Sequence, residues 1–306
     1  MPPPGEPLPV ALPPDPNTRP PGWTLPAGAC DSHFHVFGPP HRFPYAATRR
    51  YEPPAAPIEH YWKVQEITGL ARAMVVQPTV HGTDHAAIVD AIARSDGRLL
   101  GVACIDQEMT DADLAALKAA GIRAGRFSLM SDRAGSRDAM ARQIDRIVRL
   151  DWSLVLHIEP RFLLAHEDFI RGLPVPTVID HMARIDPREG LDQPAFRLLL
   201  DLLADARFWT KICCVDKISA APRAQVADGP PFADVVPFAK AVIEAAPDRV
   251  IWGSDWPHGN TFTPGRTPNE GDLLDLLGVM APDEPTRRAI LVDNPARLYG
   301  FSRGRT

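Results

Sequence analysis

The chain has 306 residues, of which 45% are hydrophobic and 23% charged, with a formal net charge of −5. That size and balance describe a globular chain able to bury a large core within one α/β unit, and the acidic excess argues against a general nucleic-acid binder. No apolar run approaches the roughly 20 residues needed to span a bilayer, so neither nucleic acid nor membrane is an expected partner.

Residues 1–26 are rich in proline and lack the apolar central stretch of a secretion signal. They read as an extended or disordered arm that wraps a single domain over 27–306. Beyond them, short apolar runs alternate with longer amphipathic segments. Strands are expected at 30–36, 73–77, 99–104, 122–127, 153–158, 176–180, 208–213 and 249–253, as continuous runs suited to parallel strands buried on both faces. Thr110 begins a helix carrying Leu114 and Leu117. Met140, Ile144, Ile147 and Val148 mark another, and Phe196 with residues 198–203 a third. Strict alternation of this kind predicts a (β/α)8 TIM barrel. An open doubly wound sheet is the competing topology, but no GxGxxG follows the first strand. The long loop 37–57, with Phe43, Tyr45 and Tyr51, is a candidate lid, and the segment 256–269 after the last strand is similarly long. The four cysteines, Cys30, Cys104, Cys213 and Cys214, show no zinc-knuckle or CxxC spacing and read as reduced thiols of a cytosolic protein.

In such a barrel the active site lies at the carboxyl ends of the strands. Metal-type residues gather at those ends: His33 and His35 in Asp31-Ser-His-Phe-His, His157 after the fifth strand, His181 after the sixth and Asp255 after the eighth. A His-x-His pair on one strand presents both rings to one side, where they can chelate one ion. Imidazole and carboxylate together suit zinc, with manganese or another divalent ion as the alternative. The bland account, a buried histidine satisfied by hydrogen bonds, would have to hold at every one of these positions. His41, His60, His85 and His166 read as surface residues, while His258 is explained equally by loop structure. Asp255 is the candidate proton acceptor for an attacking water and His181 its orienter or oxyanion stabiliser. Arg126, Arg184 and Lys217 would give the barrel mouth an affinity for carboxylate or sulfonate, unless the arginines pair with Asp180, Asp186 or Glu159. Tyr51, Gln77, Thr79, His81 and Ser128 are candidate neutral contacts to substrate.

The segments Asp31-Ser-His-Phe-His-Val-Phe-Gly-Pro, Val76-Gln-Pro-Thr-Val-His-Gly-Thr-Asp, Gly125-Arg-Phe, Val178-Ile-Asp-His-Met-Ala-Arg, Val250-Ile-Trp-Gly-Ser-Asp-Trp-Pro-His and Asn294-Pro-Ala-Arg-Leu-Tyr resemble the amidohydrolase superfamily over nearly the whole chain. Within it they look most like the 2-pyrone-4,6-dicarboxylate lactonase group. That resemblance implies a (β/α)8 barrel that hydrolyses a lactone bearing acidic groups, with Tyr51, Arg126 and Arg184 helping to hold the acid groups. The pyrone lactonases work without metal and carry a tyrosine at the place of His157. Histidine there restores the ligand set of the metal-bearing branch: His33, His35, His157 and Asp255, with His181 beside the water. Those lactonases also carry arginines where this chain has Lys217 and Asp132, although Arg133 is adjacent. The zinc-dependent 4-sulfomuconolactone hydrolases fit the ligand set better. A metal-dependent hydrolase opening a small anionic lactone in aromatic breakdown is therefore expected, with a homo-oligomer not excluded. The alternatives are hydrolysis of the pyrone itself, metal-dependent decarboxylation of an aromatic acid, and a binding protein without chemistry.

Overall fold

The structure, a computed structural model, describes residues 7–129, 137–221 and 231–301. Eight parallel strands run in the order β1 to β8: Cys30–Phe34, Arg72–Val76, Leu99–Cys104, Ile122–Leu129, Ser153–Ile158, Thr177–Ile179, Phe208–Ile212 and Val250–Trp252. Each pairs in parallel with the next, and helices fill the connections, giving a (β/α)8 barrel. The last strand returns beside the first through Asp255 N–H to His33 O (2.8 Å) and His35 N–H to Trp256 O (2.7 Å). Gly253 permits this approach. A Cβ there would stand 2.6 Å from His33 Cβ and 2.9 Å from its backbone nitrogen.

The strand period of two sorts each strand into two faces. Outward residues join the helices in the main core. Inward residues from all eight strands, among them Met74, Val102, Val155, Val178, Trp209 and Ile251, form a second apolar cluster closed by Tyr299 and Phe301. The expected helices are present. Thr110 caps Asp111–Ala119 in a reciprocal capping box with Asp113. Met140, Ile144 and Ile147 are buried on Arg137–Leu150. Val148, expected on that apolar face, is instead 44% exposed, because it follows Ile147 by one position and so lies about 100° round the helix.

The described part of the N-terminal arm is extended and tied down. Glu52 N–H donates to Pro9 O, Ala11 N–H to Glu52 O and Leu12 N–H to Thr261 O, at 2.9, 2.9 and 2.8 Å. Arg19 then reaches Asp272 and Asp275, both at 2.6 Å, on the helix Glu270–Met280, and Trp23 Nε1 donates to Leu274 O. Among the described residues, no helix is long and apolar enough to cross a membrane. All four cysteines are free.

Candidate active site

Two residues above the apolar layer, the same inward register becomes polar: Ala124 leads to Arg126, Val155 to His157, Val178 to Asp180 and Trp209 to Lys211. Strand β1 obeys a different parity. Cys30 belongs to the inner cluster whereas Phe34 belongs to the outer core. The pairing register shifts between Asp31 and Phe34, and that irregularity turns His33 and His35 towards the mouth. Asp31 fastens the distortion. Its buried carboxylate accepts from His33 N–H, Ser254 N–H, Ser254 Oγ and Tyr61 Oη at 3.0, 2.9, 2.5 and 2.8 Å. One side chain thus locks the His-x-His strand to the loop that carries Asp255.

The result is a triangle. His33 Nε2 and His35 Nε2 are 3.3 Å apart, and Asp255 Oδ1 lies 3.6 and 3.5 Å from them. An ion with tetrahedral bonds of about 2.0–2.2 Å separates its ligand atoms by roughly 3.3–3.6 Å, so this spacing fits a zinc-sized ion. His35 Nδ1 is braced by Val76 O at 2.8 Å, the kind of carbonyl contact that fixes a ligating imidazole. The buried His181 Nδ1 has no hydrogen-bond partner among the described residues. His181 also forms groups of metal-holding size with Cys214 and Asp255, and with His33 and Cys213. Burial holds both thiols well above their ordinary value, which favours the imidazole and carboxylate set. His157 joins none of these groups. Its Nε2 faces Arg184 Nη1 at 3.3 Å and its Nδ1 faces Ser128 Oγ at 3.5 Å.

Above the triangle a cleft opens at the barrel mouth. His35, His157, His181, Asp255, Arg126, Arg184, Lys217, Tyr51 and Thr79 line it, as do Phe37, Cys214 and Asn260, which the sequence did not single out. Two expected substrate contacts are turned elsewhere. Gln77 Nε2 donates to Gly82 O and Asp84 O, both at 2.9 Å. His81 bridges Pro44 O and Gly38 N–H at 3.0 and 3.2 Å. Both brace the loops behind the cleft. Ser128 is exposed beside His157, and Asp132 and Arg133 lie outside the described residues. His85 is buried rather than superficial, and the buried His258 Nε2 pairs with Glu270 Oε1 at 3.0 Å. His181 and Arg184 reach the cleft from a left-handed turn in which four successive non-glycine residues have φ between 49° and 56°. Such backbone costs roughly 1–2 kcal/mol per residue. Its strain is held at the site itself.

The three cations are not equivalent. Arg126 Nε and Nη2 each lie 3.2 Å from Asp180 Oδ2, so the structural pairing weighed against an anion role is present. Lys217 has Asp216 at 3.3 Å and also donates to Thr261. Among the described residues, Arg184 makes no ion pair. Burial would raise the Asp255 carboxyl, but its close imidazole neighbours, His35 first and then His33 and His181, hold it well below the usual carboxylate range. Burial, then the charge of Arg126, holds His157 well below the usual imidazole range, and burial does the same for His181. Neutral rings keep lone pairs for an ion or a proton. Two polar residues missed in the sequence matter here, Asp31 and Lys211. A lysine inside the buried apolar run of β7 was the available signal for the second.

Residues 30–301 match the family described as Amidohydrolase. The chain belongs to the amidohydrolase family. It is 40% identical over 296 residues to 4-sulfomuconolactone hydrolase of Hydrogenophaga intermedia, covering 95% of each. It is 39% identical over 287 residues to a 2-pyrone-4,6-dicarboxylate hydrolase of Comamonas testosteroni, covering 92% of this chain and 93% of that one. The crystal structure of a probable 2-pyrone-4,6-dicarboxylic acid hydrolase from Acinetobacter baumannii with citric acid bound superposes with a TM-score of 0.76 at 25% identity, covering 90% of this amidohydrolase and all of that chain.

Proposed function

We propose that this amidohydrolase opens a small lactone carrying two acidic groups, with 4-sulfomuconolactone or a close muconolactone analogue favoured, using one zinc ion per chain. The observation that carries the proposal is the His33–His35–Asp255 triangle at ion-ligand spacing, set in a cleft with Arg126, Arg184 and Lys217. A divalent ion held there by His33, His35 and Asp255 would polarise the ester carbonyl and acidify water. His157 completes the ligand set once Arg184 is drawn away by an anion.

The protein's own groups divide the remaining work. Arg184, with no carboxylate partner among the described residues, takes one acidic group of the substrate in charge-assisted hydrogen bonds, and Lys217 takes the other. Arg126, paired with Asp180, lines the same cleft. Tyr51 and Thr79 add neutral contacts. Asp255 stays ionised at working pH and accepts the proton of the attacking water. The same proton then goes to the ring oxygen as the ester bond breaks. His181, with a free buried Nδ1, orients the water or the developing oxyanion. The free thiols support a reducing, cytosolic setting.

A second substrate, 2-pyrone-4,6-dicarboxylate, is favoured by one observation: His157 is hydrogen-bonded to Arg184 rather than grouped with the triangle. Elemental analysis of protein purified without chelators or a metal-affinity tag, followed by assay on both lactones, tests the choice. About one zinc per chain with faster turnover of the sulfomuconolactone is expected. Metal-free protein active on the pyrone would overturn it.

A further inference from the structure

Lys211 and Asp180 compete for one nitrogen of His33. His33 Nδ1 is 3.0 Å from Lys211 Nζ and 3.6 Å from Asp180 Oδ1, while Lys211 Nζ lies 2.9 Å from that same oxygen. All three side chains are fully buried. With the Lys211 ammonium at hydrogen-bond distance from Nδ1, a doubly protonated ring would set two donors against each other, so the ring carries a single proton on one nitrogen or the other.

Donor and acceptor chemistry links that choice to the triangle. An ammonium only donates and a carboxylate only accepts. While Nδ1 accepts from Lys211, the ring proton must sit on Nε2, inside the triangle with His35 and Asp255. His35 can receive it. Its Nδ1 faces the Val76 carbonyl, so its own proton is there and its Nε2 is bare, 3.3 Å from His33 Nε2. In this arrangement a proton occupies the space that suits an ion, and His33 has no lone pair to offer. Ligation through Nε2 requires the opposite tautomer, with Nδ1–H donating to Asp180 and Lys211 directed to Asp180 alone.

We propose that Lys211 is a positioning residue that selects the His33 tautomer: its hydrogen bond to Nδ1 holds the ion-free form of the triangle, and its withdrawal to Asp180 opens the ion-binding form. Lys211 thereby sets ion affinity without touching ion or substrate. The affinity half of this proposal rests on the triangle being an ion site, whereas the tautomer half does not. Removing the lysine leaves Asp180 still paired with Arg126 at 3.2 Å, so the carboxylate is not orphaned.

The test is ¹⁵N NMR of the histidine side chains in protein stripped of metal, with the His33 signals assigned by their loss in His33→Gln. Stripped wild type is expected in the Nε2–H form, moving to Nδ1–H on addition of zinc alone. Lys211→Met is expected in the Nδ1–H form before zinc is added. It should bind zinc about tenfold or more tightly than wild type in competition with a chromophoric chelator, the scale on which outer partners of ligands act. An Nδ1–H signal in stripped wild type overturns the proposal without any variant. A folded Lys211→Met with unchanged or weaker zinc affinity also overturns it. If neither protein binds zinc, the affinity half fails together with the metal part of the proposed function, and the tautomer spectrum still decides what Lys211 does to His33.

Discussion

Arg184 Nη1 stands 3.3 Å from His157 Nε2, so a cation of the cleft and a candidate ligand are held by each other. An anionic substrate that attracts the guanidinium releases the imidazole nitrogen, which couples substrate binding to the state of the site. Arg184→Met is expected to raise KM for a doubly acidic lactone by roughly 10- to 100-fold, matching about 1.5–3 kcal/mol for hydrogen bonds to a charged group. Zinc content should stay at about one per chain. Steady-state kinetics with doubly and singly acidic lactones measure this; an equal loss on both substrates would remove Arg184 from anion binding.

Removal of residues 1–13 takes away the backbone bonds from Pro9, Ala11 and Leu12 to Glu52 and Thr261. Those partners adjoin Tyr51 and Asn260 at the cleft, while Arg19 and Trp23 remain anchored. KM is expected to rise several-fold, with kcat within about twofold and a modest fall in Tm, since the three backbone bonds contribute about 1 kcal/mol each. Unchanged KM would make the arm a mere cover.

Gly253→Ala forces a methyl against His33, whose Cβ is 2.6 Å from the position it would take. Overpacking of this kind costs typically about 1–3 kcal/mol. The displaced atom belongs to a proposed ligand, so zinc occupancy is expected to fall together with Tm. Calorimetry and elemental analysis of the same preparation check both.

Burial alone would lower the His258 imidazole, but the hydrogen bond and charge of Glu270, with Asp216 and Asp255, raise it above 6.5. A folded-state value above the unfolded one favours folding while the ring is charged. The contribution is fully present below about pH 6.5 and is lost as pH rises through the raised folded value. Denaturant unfolding from pH 6 to 9 should therefore show a decline in wild type that is absent from His258→Gln. Parallel curves for the two proteins would deny the charged pair.

Strand and helix alternation, the His33-x-His35 pair and the strand-end positions of His157, His181 and Asp255 were legible because periodicity and strand ends are local properties of the chain. Apart from the Arg126–Asp180 pair, pairings between distant residues were not. Gln77 and His81 carry the right chemistry at the right strand end, yet Gln77 Nε2 is taken by the loop that follows it and the His81 ring by the loop after β1. His85 precedes a helix as a surface residue would, yet a neighbouring loop buries it.

What the sequence determined by itself is the barrel and the set of groups at its mouth, since hydrophobic period and residue type are both written along the chain. What only the tertiary structure decided is how those groups are spent. The register shift in β1 turns both histidines inward, Asp31 ties them to the Asp255 loop, and barrel closure brings Lys211 from β7 to within 3.0 Å of His33. These contacts arise between residues up to 223 positions apart. Their existence depends on strand register and closure, which no stretch of sequence specifies alone.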